Sequence, residues 1–194
     1  MHAALCRNLF LVKEHIGVFK AANNYDIYDP NTDLKTLECR ETNLGILTKI
    51  FRFTNFKAFT AFHLEIHTPE GQKVLTVKRG FALFLSTVQV LDENDVLVGT
   101  FKQKLTMNAA KYDVLDVHDN TVCTLAGNWN GMAMRFMQGE TELAQLARGY
   151  DLVRRLLTAD NYVLTIHDTV AANDTVRILI VAAVICSDMV NDGL

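Results

Sequence analysis

The densest chemistry in the chain is basic. Lys73, Lys78 and Arg79 fall on one predicted strand, and Lys102 and Lys104 fall on another. Neighbouring strands could gather these five into a patch that attracts an anion. The competing reading is an ordinary solvated face, because charged residues normally cover a folded surface. A second constellation is His63, Glu65 and His67, whose spacing of two places all three on one face of a strand. Two imidazoles and a carboxylate are metal-ligand types. However, Leu64 and Ile66 claim the core face, so the trio is expected in solvent and no metal site is assigned. The pattern is also not HExxH, which needs a helix. Nucleophilic catalysis has little to draw on: Ser86 and Ser187 are the only serines, and neither sits in a GxSxG elbow. No P-loop or GxGxxG occurs, and Trp129, in the expected loop Gly127–Gly131, is at most a contact residue. No enzyme activity and no cofactor are expected.

The elements that must position these residues are short. Composition suits one folded domain over residues 1–194, with 49% hydrophobic and 21% charged residues. A formal charge of −3 gives no general attraction to nucleic acid, so no nucleic-acid partner is expected. Cys6, Cys39, Cys123 and Cys186 lie far apart, as buried thiols of a reducing compartment would. The opening NLFLV run is too brief for a signal-peptide core. A cytoplasmic protein is expected, either free or peripheral at a membrane.

The chain is organised around Val176–Val190, VRILIVAAVICSDMV, which is apolar except at Arg177, Ser187 and Asp188. An amphipathic helix shows one apolar stripe, but here every face is apolar, so the segment should be enclosed. A bilayer span needs about 20 apolar residues, so no transmembrane span is expected. Its β-branched residues would also suit a buried strand, but its length and the central Ala182–Ala183 favour a helix.

Upstream, the pattern alternates. Leu9–Val12 and Ile16–Phe19 suggest an opening hairpin turning at Lys13–His15. Asp29–Pro30–Asn31, Pro69–Gln72, Asp92–Asp95, His118–Asn120 and Gln138–Glu140 are further turn signals between alternating runs. Leu44, Leu47 and Phe51 stand at helical spacing, so a short helix or packed loop is expected over Asn43–Phe56. About a dozen short strands with hairpin connections indicate an antiparallel barrel or sandwich. A closed barrel would give the apolar helix a place to go.

The series NYDIYDPNTDLKTLECRE, FHLEIHTPEGQKVLTVKRG, VQVLDENDVLVGTF and YDVLDVHDNTVCTL, followed by the terminal apolar helix, resembles the phospholipid scramblase-like and LURP-one-related proteins. These belong with the tubby C-terminal domains. The resemblance runs from about Leu9 to Val190. It implies a mainly β fold, a closed antiparallel barrel of about twelve strands enclosing a C-terminal hydrophobic helix. Fold alone does not assign activity.

Tubby-like relatives bind phosphoinositide headgroups through basic residues, so the resemblance makes Lys73, Lys78, Arg79, Lys102 and Lys104 candidates for an anionic phospholipid. Animal scramblases carry a palmitoylated cysteine-rich segment where this chain has Gly80–Leu85, without cysteine. Their calcium loop is degenerate here. Asp160 and Asn161 match it, but Thr158 and Thr169 replace its end ligands, and Asp168 is displaced by one. A calcium site needs several oxygens around the ion, so no metal is expected. Three functions follow: a non-enzymatic lipid- or membrane-associated module, a structural or protein-interaction domain, and a phospholipid scramblase. The last would have to unpack its own core helix.

Overall fold

The computed structural model describes residues 2–14, 24–42, 60–81, 87–104, 110–127, 133–148, 161–172 and 174–191. A 3-10 turn (Ala3–Leu5) precedes β1 (Leu9–Glu14), β2 (Tyr25–Asp29), β3 (Leu34–Glu41) and β4 (Phe62–His67). Then come β5 (Lys73–Arg79), β6 (Thr87–Asp92), β7 (Leu97–Lys104) and β8 (Ala110–Leu115). β9 (Thr121–Gly127), β10 (Ala133–Gln138), β11 (Thr141–Arg148) and β12 (Asn161–Ile166) complete the sheet, and α1 (Thr175–Asn191) follows. Every strand pairs antiparallel with its sequence neighbours, and β1 pairs with β12, so the sheet closes and no edge is left open.

Alternation explains which residues face inward. Along β4, Phe62, Leu64 and Ile66 are buried, while His63, Glu65 and His67 are partly exposed. Across the sheet, Leu64, Val77 and Val90 stand in register, and so do Val88, Phe101 and Val114. About eight strands make a barrel that side chains alone can fill. Twelve leave a lumen, and α1 occupies it. Ile178 to Ile185 are all buried, none more than 7% exposed. Gly99 lets β7 approach the helix: a Cβ there would meet the Leu115 carbonyl at 2.2 Å and a Leu179 methyl at 3.0 Å. Number of strands and all-round apolarity of the helix are therefore one design.

The two ends of the barrel are built differently. The β2–β3, β4–β5, β6–β7, β8–β9 and β10–β11 hairpin turns all fall at one end. Each of these hairpins also shifts register just before its turn, leaving Thr36, Val74, Val98, Val122 and Leu143 as extra residues on the returning strands. Such bulges add twist, which a closing sheet needs. The turns require a left-handed residue: Gly71 and Gly139 supply it in two, and Asp33, Asp95 and Asp119 in three. In the aspartate turns a first carboxylate caps the backbone. Asp92 accepts from the amides of Asn94 (2.8 Å) and Val96 (2.9 Å), and Asp116 from those of His118 (2.8 Å) and Asn120 (2.9 Å).

Arg177 seals this same end. It sits on the helix, 1% exposed, and its guanidinium donates to the Val170 carbonyl (2.6 Å), Asn8 Oδ1 (3.0 Å), the Ala171 carbonyl (3.3 Å) and the Arg7 carbonyl. Burial lowers its pKa, an effect opposed by nearby negative charge, including the Asp174 and Asp168 carboxylates. Asp174 caps the helix start by accepting from the Val176 amide at 2.9 Å.

Two expectations differ from the structure: Cys6, just before β1, is an exposed thiol while Cys39 and Cys123 are buried, and the first strand runs on past Val12. Lys13 and Glu14 belong to β1 and pair with Asp26 and Tyr25 of β2, so they are not turn residues. From that strand position the Lys13 ammonium stands over the Tyr28 ring, 4.1 Å from the centroid, and 3.6 Å from Asp33 Oδ1. Ile16–Phe19 and Asn43–Phe56 lie outside the described residues, as do the connections of the opposite end.

Candidate functional site

At the end opposite the hairpins, the rims of β3, β4, β5 and β6 surround a cleft of about 520 Å³. Its walls include Glu41, Thr42, His63, Lys78, Arg79 and Gln89. Strand pairing brings them together. His63, Lys78 and Gln89 form one outward row across β4, β5 and β6, and Phe62, Arg79 and Val88 form the adjacent inward row. Consecutive residues of a strand face opposite sides, so Lys78 and Arg79 approach the cleft from outside and inside the barrel.

Arg79 is 4% exposed. Its Nε and Nη2 donate to the Thr60 carbonyl at 3.2 and 2.7 Å, and the guanidinium stacks over Phe62, 4.8 Å from the ring centroid. A charge so placed is fixed in position and contributes to the field in the cleft. Thr42 Oγ1 is buried at the cleft wall and has no hydrogen-bond partner in the structure. A buried hydroxyl without a partner is costly, and a ligand oxygen would satisfy it. Among the described residues, the cleft thus combines two permanent cations and a histidine with neutral donors, offset by the single carboxylate of Glu41.

The other basic candidates are engaged elsewhere. Lys73 donates to Asp95 (2.6 Å), Lys102 to Asp119 (2.9 Å), and Lys104 lies 2.7 Å from Asp113. Asp95 and Asp119 are the left-handed turn residues, so Lys73 and Lys102 neutralise the hairpin end. The pairing holds Asp95 below the usual carboxylate pKa. Of the five candidates, the structure places Lys78 and Arg79 at the cleft and the other three outside it.

His63, Glu65 and His67 share the outer face of β4. Glu65 bridges the two imidazoles, with Oε1 3.6 Å from His63 Nε2 and Oε2 3.7 Å from His67 Nε2. Among the described residues, no three His, Cys, Asp or Glu side chains are grouped so as to hold a metal ion. Asn161 begins β12 and Asp168 follows its far end, where it accepts from Asn8 Nδ2 at 2.6 Å, so the strand separates these two calcium-loop positions. Asp160, Thr158, Ser86 and Trp129 lie outside the described residues.

The sequence reading did not single out Glu41, Thr42 or Gln89. Their one visible signal was position, since each stands within three residues of a strand end.

The LURP-one-related family profile matches residues 8–188. A crystal structure of a protein from Arabidopsis thaliana is similar in fold, with a TM-score of 0.55 and 18% identity. That match covers 98% of this chain and 96% of the Arabidopsis chain. No protein of curated function matches the sequence.

Proposed function

The chain belongs to the LURP-one-related family, within the tubby-like C-terminal superfamily, and from that premise we propose that it is a non-enzymatic barrel module whose cleft binds a phosphate-bearing anionic headgroup. One observation carries this reading: Lys78, Arg79 and His63 converge with the buried, unpartnered Thr42 hydroxyl on a single cleft. Phosphate oxygens accept from ammonium, guanidinium, hydroxyl and amide donors alike. Glu41 would accept from headgroup hydroxyls, favouring a hydroxylated or amine-bearing headgroup over bare phosphate.

The scramblase reading is weaker on physical grounds. Withdrawing α1 to cross a bilayer would expose the lumen and every buried residue from Ile178 to Ile185. Among the described residues, no helix is long and apolar enough to span a membrane. The protein-interaction reading draws on Val96, Leu97 and Val117, exposed apolar residues on adjacent hairpins at the other end.

Co-sedimentation with vesicles of phosphatidylcholine, with and without phosphatidylserine, tests the proposal. Binding should need the anionic lipid, and Lys78→Ala should weaken it about five-fold, as expected for one basic residue at roughly 1 kcal/mol near an anionic surface. Equal binding to neutral vesicles, or no effect of Lys78→Ala, would overturn it.

A further inference from the structure

Phe81 is the feature of the cleft end that headgroup binding leaves unexplained. Its side chain is 64% exposed, and it directly follows Lys78, Arg79 and Gly80, all of which line the cleft. Gly80 adds open space, with no heavy atom within 4 Å of where a Cβ would stand. A large aromatic ring in water beside a cationic cleft matches a bilayer interface, where acyl chains begin just below the phosphates.

The opposite end fits the same picture by repulsion. Its turns carry Asp92 and Asp116, with Glu70 and Asp168 exposed nearby, while Lys73 and Lys102 are already paired with Asp95 and Asp119. An anionic surface approaching that end meets carboxylates; approaching the cleft end, it meets Lys78 and His63 beside the lone carboxylate Glu41 among the described lining residues, with the buried Arg79 charge behind them.

We infer that the barrel docks end-on to an anionic bilayer, cleft end down, with Phe81 inserted among the lipids and the hairpin end turned away. The inference rests on the headgroup reading and adds the orientation and the inserted residue. The cleft would hold the phosphate while the ring contributes buried apolar area, and neither contact alone would retain the protein.

Leu34 provides a matched control, because it is 66% exposed but lies at the hairpin end. Phe81→Ser and Leu34→Ser would be compared with the unaltered protein in three measurements: partition onto phosphatidylserine-containing vesicles, calorimetric titration with water-soluble glycerophosphate, and sedimentation of the protein alone. Both variants should fold, since both side chains are exposed. Phe81→Ser should lower vesicle partition about tenfold and leave glycerophosphate binding unchanged, and Leu34→Ser should change neither. If the unaltered protein binds glycerophosphate but Phe81→Ser partitions normally, the docking inference fails and the headgroup reading stands. An equal loss from Leu34→Ser, or a Phe81→Ser effect on self-association in place of vesicle binding, also overturns the inference. If the unaltered protein binds neither probe, the headgroup reading fails and carries the inference down with it.

Discussion

The hairpin end and the cleft end of this barrel close the same strands by different physics. At the hairpin end each connection is local. In three turns one aspartate caps the backbone and a second takes the left-handed position; in the other two a glycine takes it. A bulge follows in all five, and the three left-handed aspartates each have a lysine within 4 Å. At the cleft end residues distant in sequence meet only through the pairing of successive strands, such as Thr42 from β3's rim and Gln89 from β6. The turn carboxylates at the first end are hydrogen-bonded or ion-paired, whereas the wall of the cleft keeps the buried Thr42 hydroxyl without a partner. Self-sufficient turns suit a base, and unmet hydrogen-bonding capacity suits a binding face.

The largest perturbation removes what both ends share. Val184→Asp places an unpaired charge inside the lumen, at a cost of several kcal/mol, comparable to the whole stability of a domain. The cooperative thermal transition should disappear. A variant melting at the wild-type temperature would mean that the helix is not the core.

Next in size is a change confined to the hairpin end. Arg177→Ala strands four acceptors and should cost about 3 kcal/mol. Hydrogen exchange should quicken first at Arg7, Asn8 and Val170, while binding at the cleft persists below the melting temperature. Loss of cleft binding without loss of fold would show that the two ends are coupled.

Acid should distinguish the ends more gently. Hydrogen bonds from the Asn31 amide and from Lys73 and Asn120 lower the pKa values of Asp29, Asp95 and Asp116. A carboxyl whose folded pKa is depressed stabilises the fold above its unfolded value, about 3.9, and loses that stabilisation as pH falls through the folded value. Below about pH 4, hairpin-end amides should therefore exchange before those of β5 and β6. Uniform loss of protection at both ends would contradict this.

The smallest expected effect is none. Millimolar calcium should leave the melting temperature unchanged, because β12 separates Asn161 from Asp168 and Asn8 occupies the latter. Saturable binding abolished by Asp168→Asn would refute that expectation.

Local rules made most of the barrel legible. Alternation gave the strands, turn residues gave the hairpins, and an all-round apolar run gave the helix. The bulges left a trace that could have been read, as adjacent apolar pairs such as Val74–Leu75 and Leu143–Ala144 after a turn. The site was less legible because it is assembled across strands. Lys73 and Lys102 look as available as Lys78 until their turn aspartates are placed beside them. Arg177 stood out as one cation in an apolar run, but its acceptor at Arg7 is 170 residues away. No short-range pattern reports a contact of that kind.

The division of labour between the ends can be tested by following amide chemical shifts during titration with water-soluble glycerophosphate. Shifts should concentrate at Thr42, His63, Lys78, Gly80, Thr87 and Gln89, and the turns holding Asp33, Gly71, Asp95, Asp119 and Gly139 should stay still. Shifts centred on those turns, or none at saturating ligand, would contradict the account.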